Sequence, residues 1–513
     1  MSSLARTATT AGAVLILLKS VSLAQKGNQD WTTIGYDAQR SNWLRNDAKI
    51  SPETLSKPGF ELLWKVKLNK LSGQMNAPTP PALLDFYITY RGFRSLGFFG
   101  GSADTVTGID TDLSRVEWET KLGSSPPAAA STAQCPGGMT TGVARITPLT
   151  MAPAAAFSRG RSNPPKSGVG EPGEGAVTLK DVRPPQKNSD PPPAAASNRG
   201  GRRGAAAGLG PYSRGPSYVY ALSSDGKLHL MYVSTGEEPN PAIPFLPANA
   251  HARGLIVFDG MAIVATVNGC GGVDNGIWAL DLETKKVSQW KSASGNVAGI
   301  GGFAADPDGT IFVAAGDELV ALDSETLTSK ASYKSGGAAF TSSPLLFDFK
   351  GKNAIAATAN DGKIHIVETT SMALLGSGGG GSGSHAVGAL TSWQEVAGTR
   401  WILGPSANKV AAWKVEADSR GKAVLTPGWT SRDLINPIAP AVVNGVVFAV
   451  SAGKRGVSAV LYALDGTTGK ELWNSGKSIT SFASTGGLSS GGGQVYVSTH
   501  DGTQYAFGFP MEH

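Results

Sequence analysis

Apolar residues along this chain come in short runs rather than at helical spacing. Stretches such as Ile311-Phe312-Val313, Ile355-Ala356-Ala357-Thr358, Val446-Val447-Phe448-Ala449-Val450 and Val495-Tyr496-Val497-Ser498 are rich in β-branched and aromatic residues and are bounded by Gly, Asn, Asp or Ser. Between them stand Asp225-Gly226, Asp308-Gly309, Asp361-Gly362, Asn444-Gly445 and Asp501-Gly502. Such dipeptides favour two-residue hairpins, because Gly accepts the positive φ these turns require. Beyond the N-terminal residues almost no window repeats apolar positions every three or four residues, so the pattern predicts an all-β chain.

The strands recur as a unit. From Pro440 to Trp473 the chain reads strand, Gly445, the strand from Val446 to Ser451, then Leu461-Tyr462-Ala463-Leu464-Asp465, a Gly466-Thr467-Thr468-Gly469-Lys470 turn and Glu471-Leu472-Trp473. The Ala-Leu-Asp step returns at Ala279-Leu280-Asp281 and Ala321-Leu322-Asp323, with looser copies at Thr107 to Asp110, Val219 to Leu222 and Ile364 to Val367. Bulky residues close successive units: Trp118, Tyr232, Trp290, Tyr333, Leu374, Trp429 and Trp473. After the first interval their spacing stays near the 40 to 50 residues of a four-stranded propeller blade. An eighth unit is split between the ends of the chain: Ser484 to Phe507 supplies three strands and Glu61 to Val66, bearing Trp64, the fourth. The expectation is an eight-bladed β-propeller of four-stranded antiparallel blades over residues 25–513, its ring closed by an N-terminal strand in the last blade, which removes exposed sheet edges.

Composition refines this picture at two places. The Pro-rich segment 151–216 carries ten basic and four acidic residues, which is the whole formal charge of +6. With eleven prolines and few residues able to build a core, it is expected to be a disordered insertion within the second blade. The remaining chain has no basic stripe, which argues against nucleic acid as a partner. At the N-terminus, Arg6, the apolar run Ala11 to Leu18 and Ser22-Leu23-Ala24 read as a secretory signal peptide over residues 1–24, too short to span a bilayer. The mature chain is therefore expected to be exported to the periplasm or the extracellular space, without a transmembrane segment, as a monomer. Export would let Cys135 and Cys270, the two cysteines, pair across blades two and three; two buried free thiols are the alternative.

The run from Tyr462 to Trp473, Tyr-Ala-Leu-Asp followed by Thr-Gly-Lys-x-Leu-Trp, resembles the repeat of quinoprotein propellers. The stretch marked by Trp31, Gly35, Asp37, Arg40, Ile50, Leu55 and Trp64 is similar to the N-terminal segment of pyrroloquinoline-quinone alcohol dehydrogenases. The resemblance implies that Trp64, Trp118, Trp290, Trp429 and Trp473 dock each blade against its neighbour. It further implies a quinone and calcium cofactor for dehydrogenase members, which carry an adjacent Cys-Cys disulfide that this chain lacks. A second branch, of outer-membrane assembly lipoproteins, keeps the eight blades without a cofactor.

Propellers present functional groups where each innermost strand begins. The repeat register puts Asn76, Thr140, His251, Asn296, Thr341, His385 and Asn436 there, either as a polar ligand site in a central funnel or as strand caps and ligands of channel water. His229 and His365 fall in later strands and read as packing or surface residues. No metal-binding pattern frames the aspartates. The leading expectation is an exported binding platform for a ligand or a protein, with no cofactor assigned. The alternative is a quinone-dependent dehydrogenase that oxidises an alcohol or sugar.

Overall fold

Asn444 and Gly445 both adopt positive φ, 46° and 82°, and turn Ala441–Val443 directly into Val446–Ser451. This short-range chemistry, repeated around the chain, builds eight blades in the computed structural model, which describes residues 30–68, 78–89, 92–101, 103–123, 131–151, 217–379, 388–484 and 486–510. The expected signal peptide and nearly all of the 151–216 insertion lie outside these residues. Among the described residues no helix is long and apolar enough to cross a membrane.

Blade 1 comprises Ala82–Thr89, Gly92–Gly100, Thr105–Asp110 and Arg115–Lys121. Blade 3 runs from His251–Phe258 to Val287–Lys291, blade 4 from Phe303–Ala305 to Ser329–Lys334, and blade 5 from Leu345–Phe349 to Leu374–Gly378. Blade 6 spans Thr391–Gln394 to Ala423–Thr430, and blade 7 Ala441–Val443 to Glu471–Asn474. In blade 8 the order is Ser489–Gly491, Gln494–Ser498, Thr503–Gly508 and then Glu61–Lys67, with Trp64 opposite Ala506 and Lys65 opposite Tyr505. The two ends of the chain thus share one sheet. First strands of neighbouring blades touch around the axis, so inner strands such as Met261–Val267 are buried throughout while outer ones such as Ser329–Lys334 are half exposed. That burial on both faces explains why the inner strands read as continuous apolar runs rather than alternating ones.

Blade 2 corrects the register read from the repeats. Ala144 exchanges backbone hydrogen bonds with Tyr220, so residues around 144 form the inner edge and Tyr218–Leu222 is the second strand, not a copy of the third. Tyr232 ends the third strand, and the fourth is only Ile243–Pro244. The 151–216 insertion separates first and second strands, which erased the spacing that identifies a strand's place.

The repeat residues have distinct jobs. Asp465 Oδ1 accepts from the backbone N–H groups of Thr467 and Thr468 at 3.0 and 2.8 Å, capping the turn, and Asp281 and Asp323 do the same in their blades. The Ala before it makes room for an indole. Trp473 lies opposite Ala463, Trp429 opposite Ala412, Trp64 opposite Ala506 and Trp118 opposite Gly108, each beside a one-residue bulge. A bulge re-aims the side chain towards the next blade. Trp118 donates its indole N–H to Val233 O at 2.9 Å, Trp429 to Gly466 O at 2.9 Å and Trp64 to Thr111 O at 3.0 Å, always across a blade boundary. Trp473 packs edge-on against Phe507 of blade 8, and Trp290 rests on the core shared by blades 3 and 4.

Candidate functional site

The axial funnel expected to hold a ligand is occupied by the chain itself. Residues 30–44 wind around the axis and bond to the inner edges of blades 1 to 7 in ring order. Leu83 N donates to Trp31 O in blade 1 at 2.8 Å, Arg145 N to Thr32 O in blade 2 at 2.8 Å, and Thr33 Oγ1 to Leu255 O in blade 3 at 2.7 Å. Ala305 N, Leu346 N, Ser392 N and Val442 N then reach the carbonyls of Ala38, Gln39, Ser41 and Asn42 in blades 4 to 7. Arg40, only 2% exposed, donates to Phe303 O at 2.8 Å, Gly254 O at 2.7 Å, Thr33 Oγ1 at 2.9 Å and Ile34 O at 2.5 Å. Deeper in, a methyl group on Gly142 would touch Ile34 Cγ1 at 3.3 Å, and one on Gly487 of blade 8 would touch Ile300 Cδ1 from the opposite blade at 3.7 Å. The lead-in residues Trp31, Gly35, Asp37 and Arg40 therefore serve as an internal plug.

Space opens instead off the axis, at the end of the channel where the inner strands begin. A cleft of about 500 Å3 lies between blades 2 and 3, lined by Thr132, Gln134, Cys135, Asn268, Gly269, Asn275 and Asn296. Cys135 and Cys270 are joined in a disulfide that ties the 131–139 loop to the turn after Met261–Val267 and forms part of the wall. Asn268 and Gly269, with φ of 63° and 61°, bend that turn outward. Asn268 N donates to Asn296 Oδ1 at 2.8 Å, Asn296 Nδ2 to Asn268 Oδ1 at 3.1 Å, and Gly269 N to Asn275 Oδ1 at 3.0 Å. Gln134 O receives both Asn268 Nδ2 at 2.9 Å and His251 Nδ1 at 2.6 Å. Because a carbonyl only accepts, Nδ1 carries the proton and Nε2 is left as a base. Burial, and then the nearby Arg253 cation, push His251 down from 6.5 to about 4, against the hydrogen bond to Gln134 that raises it. The lining carries no charged side chain and presents four amides and the Thr132 hydroxyl.

Of the residues singled out from the sequence, Asn296 lines this cleft and His251 braces its floor, while Thr140 stands beside it. Thr140 Oγ1 bonds both Ala252 N and Ala252 O, at 2.9 and 3.0 Å, and stitches blade 2 to blade 3. Thr341 donates to Thr358 O at 3.2 Å, and Asn436, with φ of 50°, donates to Gly453 O at 2.8 Å; both cap backbone. Asn76 and His385 lie outside the described residues. His229 is buried within blade 2 between Ser223 Oγ at 2.9 Å and Glu238 Oε1 at 2.8 Å, and His365 of blade 5 bonds Tyr333 OH of blade 4 at 2.9 Å. Gln134, Asn268 and Asn275 escaped sequence reading, although they flank the two cysteines whose pairing would have brought them together.

No family model and no curated protein matches the chain. Solved structures do. The quinohemoprotein alcohol dehydrogenase from Comamonas testosteroni superposes with a TM-score of 0.57 at 14% identity, over 95% of this chain and 82% of that one. The quinohemoprotein alcohol dehydrogenase ADHIIG from Pseudomonas putida HK5 gives 0.56 at 13%, over 95% and 81%. A europium-containing methanol dehydrogenase gives 0.54 at 11%, over 94% and 99%. The fold is the quinoprotein propeller. At these identities the likeness concerns the scaffold, and function resides in sites.

The scaffold raises the question of a quinone with calcium. No set among the described residues fits them. Among the described residues no three His, Cys, Asp or Glu side chains converge on a point that could hold a cation. Asp104 is taken by Ser224 N at 2.9 Å, and Asp110 by Leu113 N at 3.1 Å and Arg94 at 3.5 Å. Along the axis, Ile34 and Arg40 lie against the inner strands of blades 2 to 4, and Ile300 faces Gly487 of blade 8.

Proposed function

We propose that this protein is a binding platform without redox chemistry, whose ligand site is the disulfide-walled cleft between blades 2 and 3. The observation that carries this reading is the occupation of the axial channel by residues 30–44 beside an amide-lined cleft of about 500 Å3 that stands open. Side-chain amides offer paired donors and acceptors without charge, which suits a neutral, hydroxyl-rich ligand of saccharide type. The disulfide suits an oxidising compartment and supports export.

The test is calorimetric titration of the whole protein with neutral oligosaccharides, repeated on Asn296→Ala and Asn275→Ala. Saturable heat that weakens in both variants supports the cleft. A parallel sample reconstituted with pyrroloquinoline quinone and calcium is assayed for dye-linked alcohol oxidation; turnover there, with no saccharide binding, overturns the reading.

A further inference from the structure

The opposite end of the channel carries two cations that, among the described residues, no carboxylate meets within ion-pair distance; Asp37 acts on Arg45 and Asp348 on Arg400 only from further away. Arg400 opens the second strand of blade 6, paired with Gln394 at the far end of that blade's first strand, and Arg45 follows the segment Trp43–Leu44 that leaves the plug. Both are half-buried. The guanidinium carbon of Arg45 sits 4.3 Å from the Trp43 ring centre. That of Arg400 sits 5.7 Å from the same ring and 5.9 Å from Phe347. The Nε–H of each is buried without an acceptor, and among the described residues neither guanidinium has a carboxylate within ion-pair distance. Among the described residues the one hydrogen bond of the Arg400 guanidinium goes to Gln394 Oε1 at 3.3 Å. Asp37, within the plug, accepts hydrogen bonds from Ser41 on both oxygens, at 2.8 and 2.6 Å, and none from Arg45. Burial and then the neighbouring Arg45 hold Arg400 down to about 10, with Asp348 opposing.

Two like charges set around one indole, with uncommitted donors, oppose folding unless something compensates them. Guanidinium forks match the planar or tetrahedral oxygens of carboxylate and phosphate. We propose that this mouth of the channel is an oxyanion site, in which a carboxylate- or phosphate-bearing small ligand accepts hydrogen bonds from Arg45 and Arg400 while Trp43 forms its apolar wall. It lies on the face opposite the cleft, so the two sites stand or fall separately.

Inorganic phosphate and succinate are each titrated calorimetrically into the full chain, and into Arg45→Gln and Arg400→Gln. Saturable binding of at least one anion is expected, weakened about tenfold to a hundredfold in each variant, the range for a lost hydrogen bond to a charged group. Whichever anion binds more tightly identifies the ligand class. Without anion both variants are expected to melt no lower than the wild type, since a half-buried charge without an ion-pair partner has been removed; a merely structural role would lower both. Absence of saturable binding by either anion, binding that survives both substitutions, or lower melting of both anion-free variants overturns the proposal. Should Arg400→Gln not fold, Arg45→Lys, which keeps the charge but loses the fork, carries the same expected tenfold loss.

Discussion

Arg40 offers the sharpest test of the plug. Two of its four hydrogen bonds tie the N-terminal segment to the inner strands of blades 3 and 4, the other two hold Thr33 and Ile34 of that segment, and its guanidinium sits 5.4 Å from the Phe303 ring centre. Arg40→Met keeps length and apolar contact but strands the carbonyls of Phe303, Gly254 and Ile34, at about 1–3 kcal/mol each. Against this stands relief of a burial penalty: desolvation, only partly offset by Asp37, lowers Arg40 from 12.5 to about 10. At 1.36 kcal/mol per pH unit that relief is about 3 kcal/mol. The opposing effects leave a net loss of about 3 kcal/mol, in line with breaking other buried charge networks. Thr33→Val, which removes one acceptor for Arg40 and one donor to Leu255, should lose about 1 kcal/mol. Urea unfolding followed by tryptophan fluorescence reads both values, and limited proteolysis should release residues 30–44 faster from Arg40→Met. An Arg40→Met protein within 0.5 kcal/mol of wild type, with unchanged proteolysis, would show that the segment is an accessory to the ring and not part of its core.

Three further outcomes follow from local geometry. The Cys135–Cys270 disulfide closes a loop with a sequence separation of 135 residues, so replacing both with Ser should cost about 5 kcal/mol on the chain-entropy account; two alkylatable thiols in unreduced, denatured protein would refute the pairing. The unfolded His251 imidazole takes up a proton near 6.5 and the folded one only near 4, so acidification through that window favours the unfolded chain and removes up to about 3 kcal/mol. His251→Gln should flatten that part of the stability curve, and an unchanged slope from pH 6.5 to 4 would count against the buried neutral imidazole. Gly469 and Gly260 both have positive φ, 71° and 76°, but a methyl at Gly469 meets Trp429 Cδ2 at 2.6 Å whereas one at Gly260 meets nothing within 4 Å. Gly260→Ala should cost about 1–2 kcal/mol and Gly469→Ala at least 2 kcal/mol more, measured as urea midpoints; equal costs would mean that the indole does not dock there.

What the sequence determined by itself is what short-range chemistry dictates. Hairpins follow from Asn-Gly and Asp-Gly steps, and the Ala-Leu-Asp unit encodes its own geometry, since Ala463 leaves room for Trp473 and Asp465 caps the turn between them. Even ring closure was legible, because the last blade lacked a Trp-bearing strand and residues 61–67 supplied one. Blade 2 was misread where an insertion broke the period. Only the tertiary structure decided where a site can exist. Repeat register places Thr341, Asn436 and His251 alike at strand starts, yet two of them cap backbone and one braces a cleft, because a side chain's surroundings are set by the neighbouring blade and by the segment threaded through the axis. Those contacts join residues hundreds of positions apart, such as Asn42 to Leu390 and Asp47 to Gly493, and no local pattern records them.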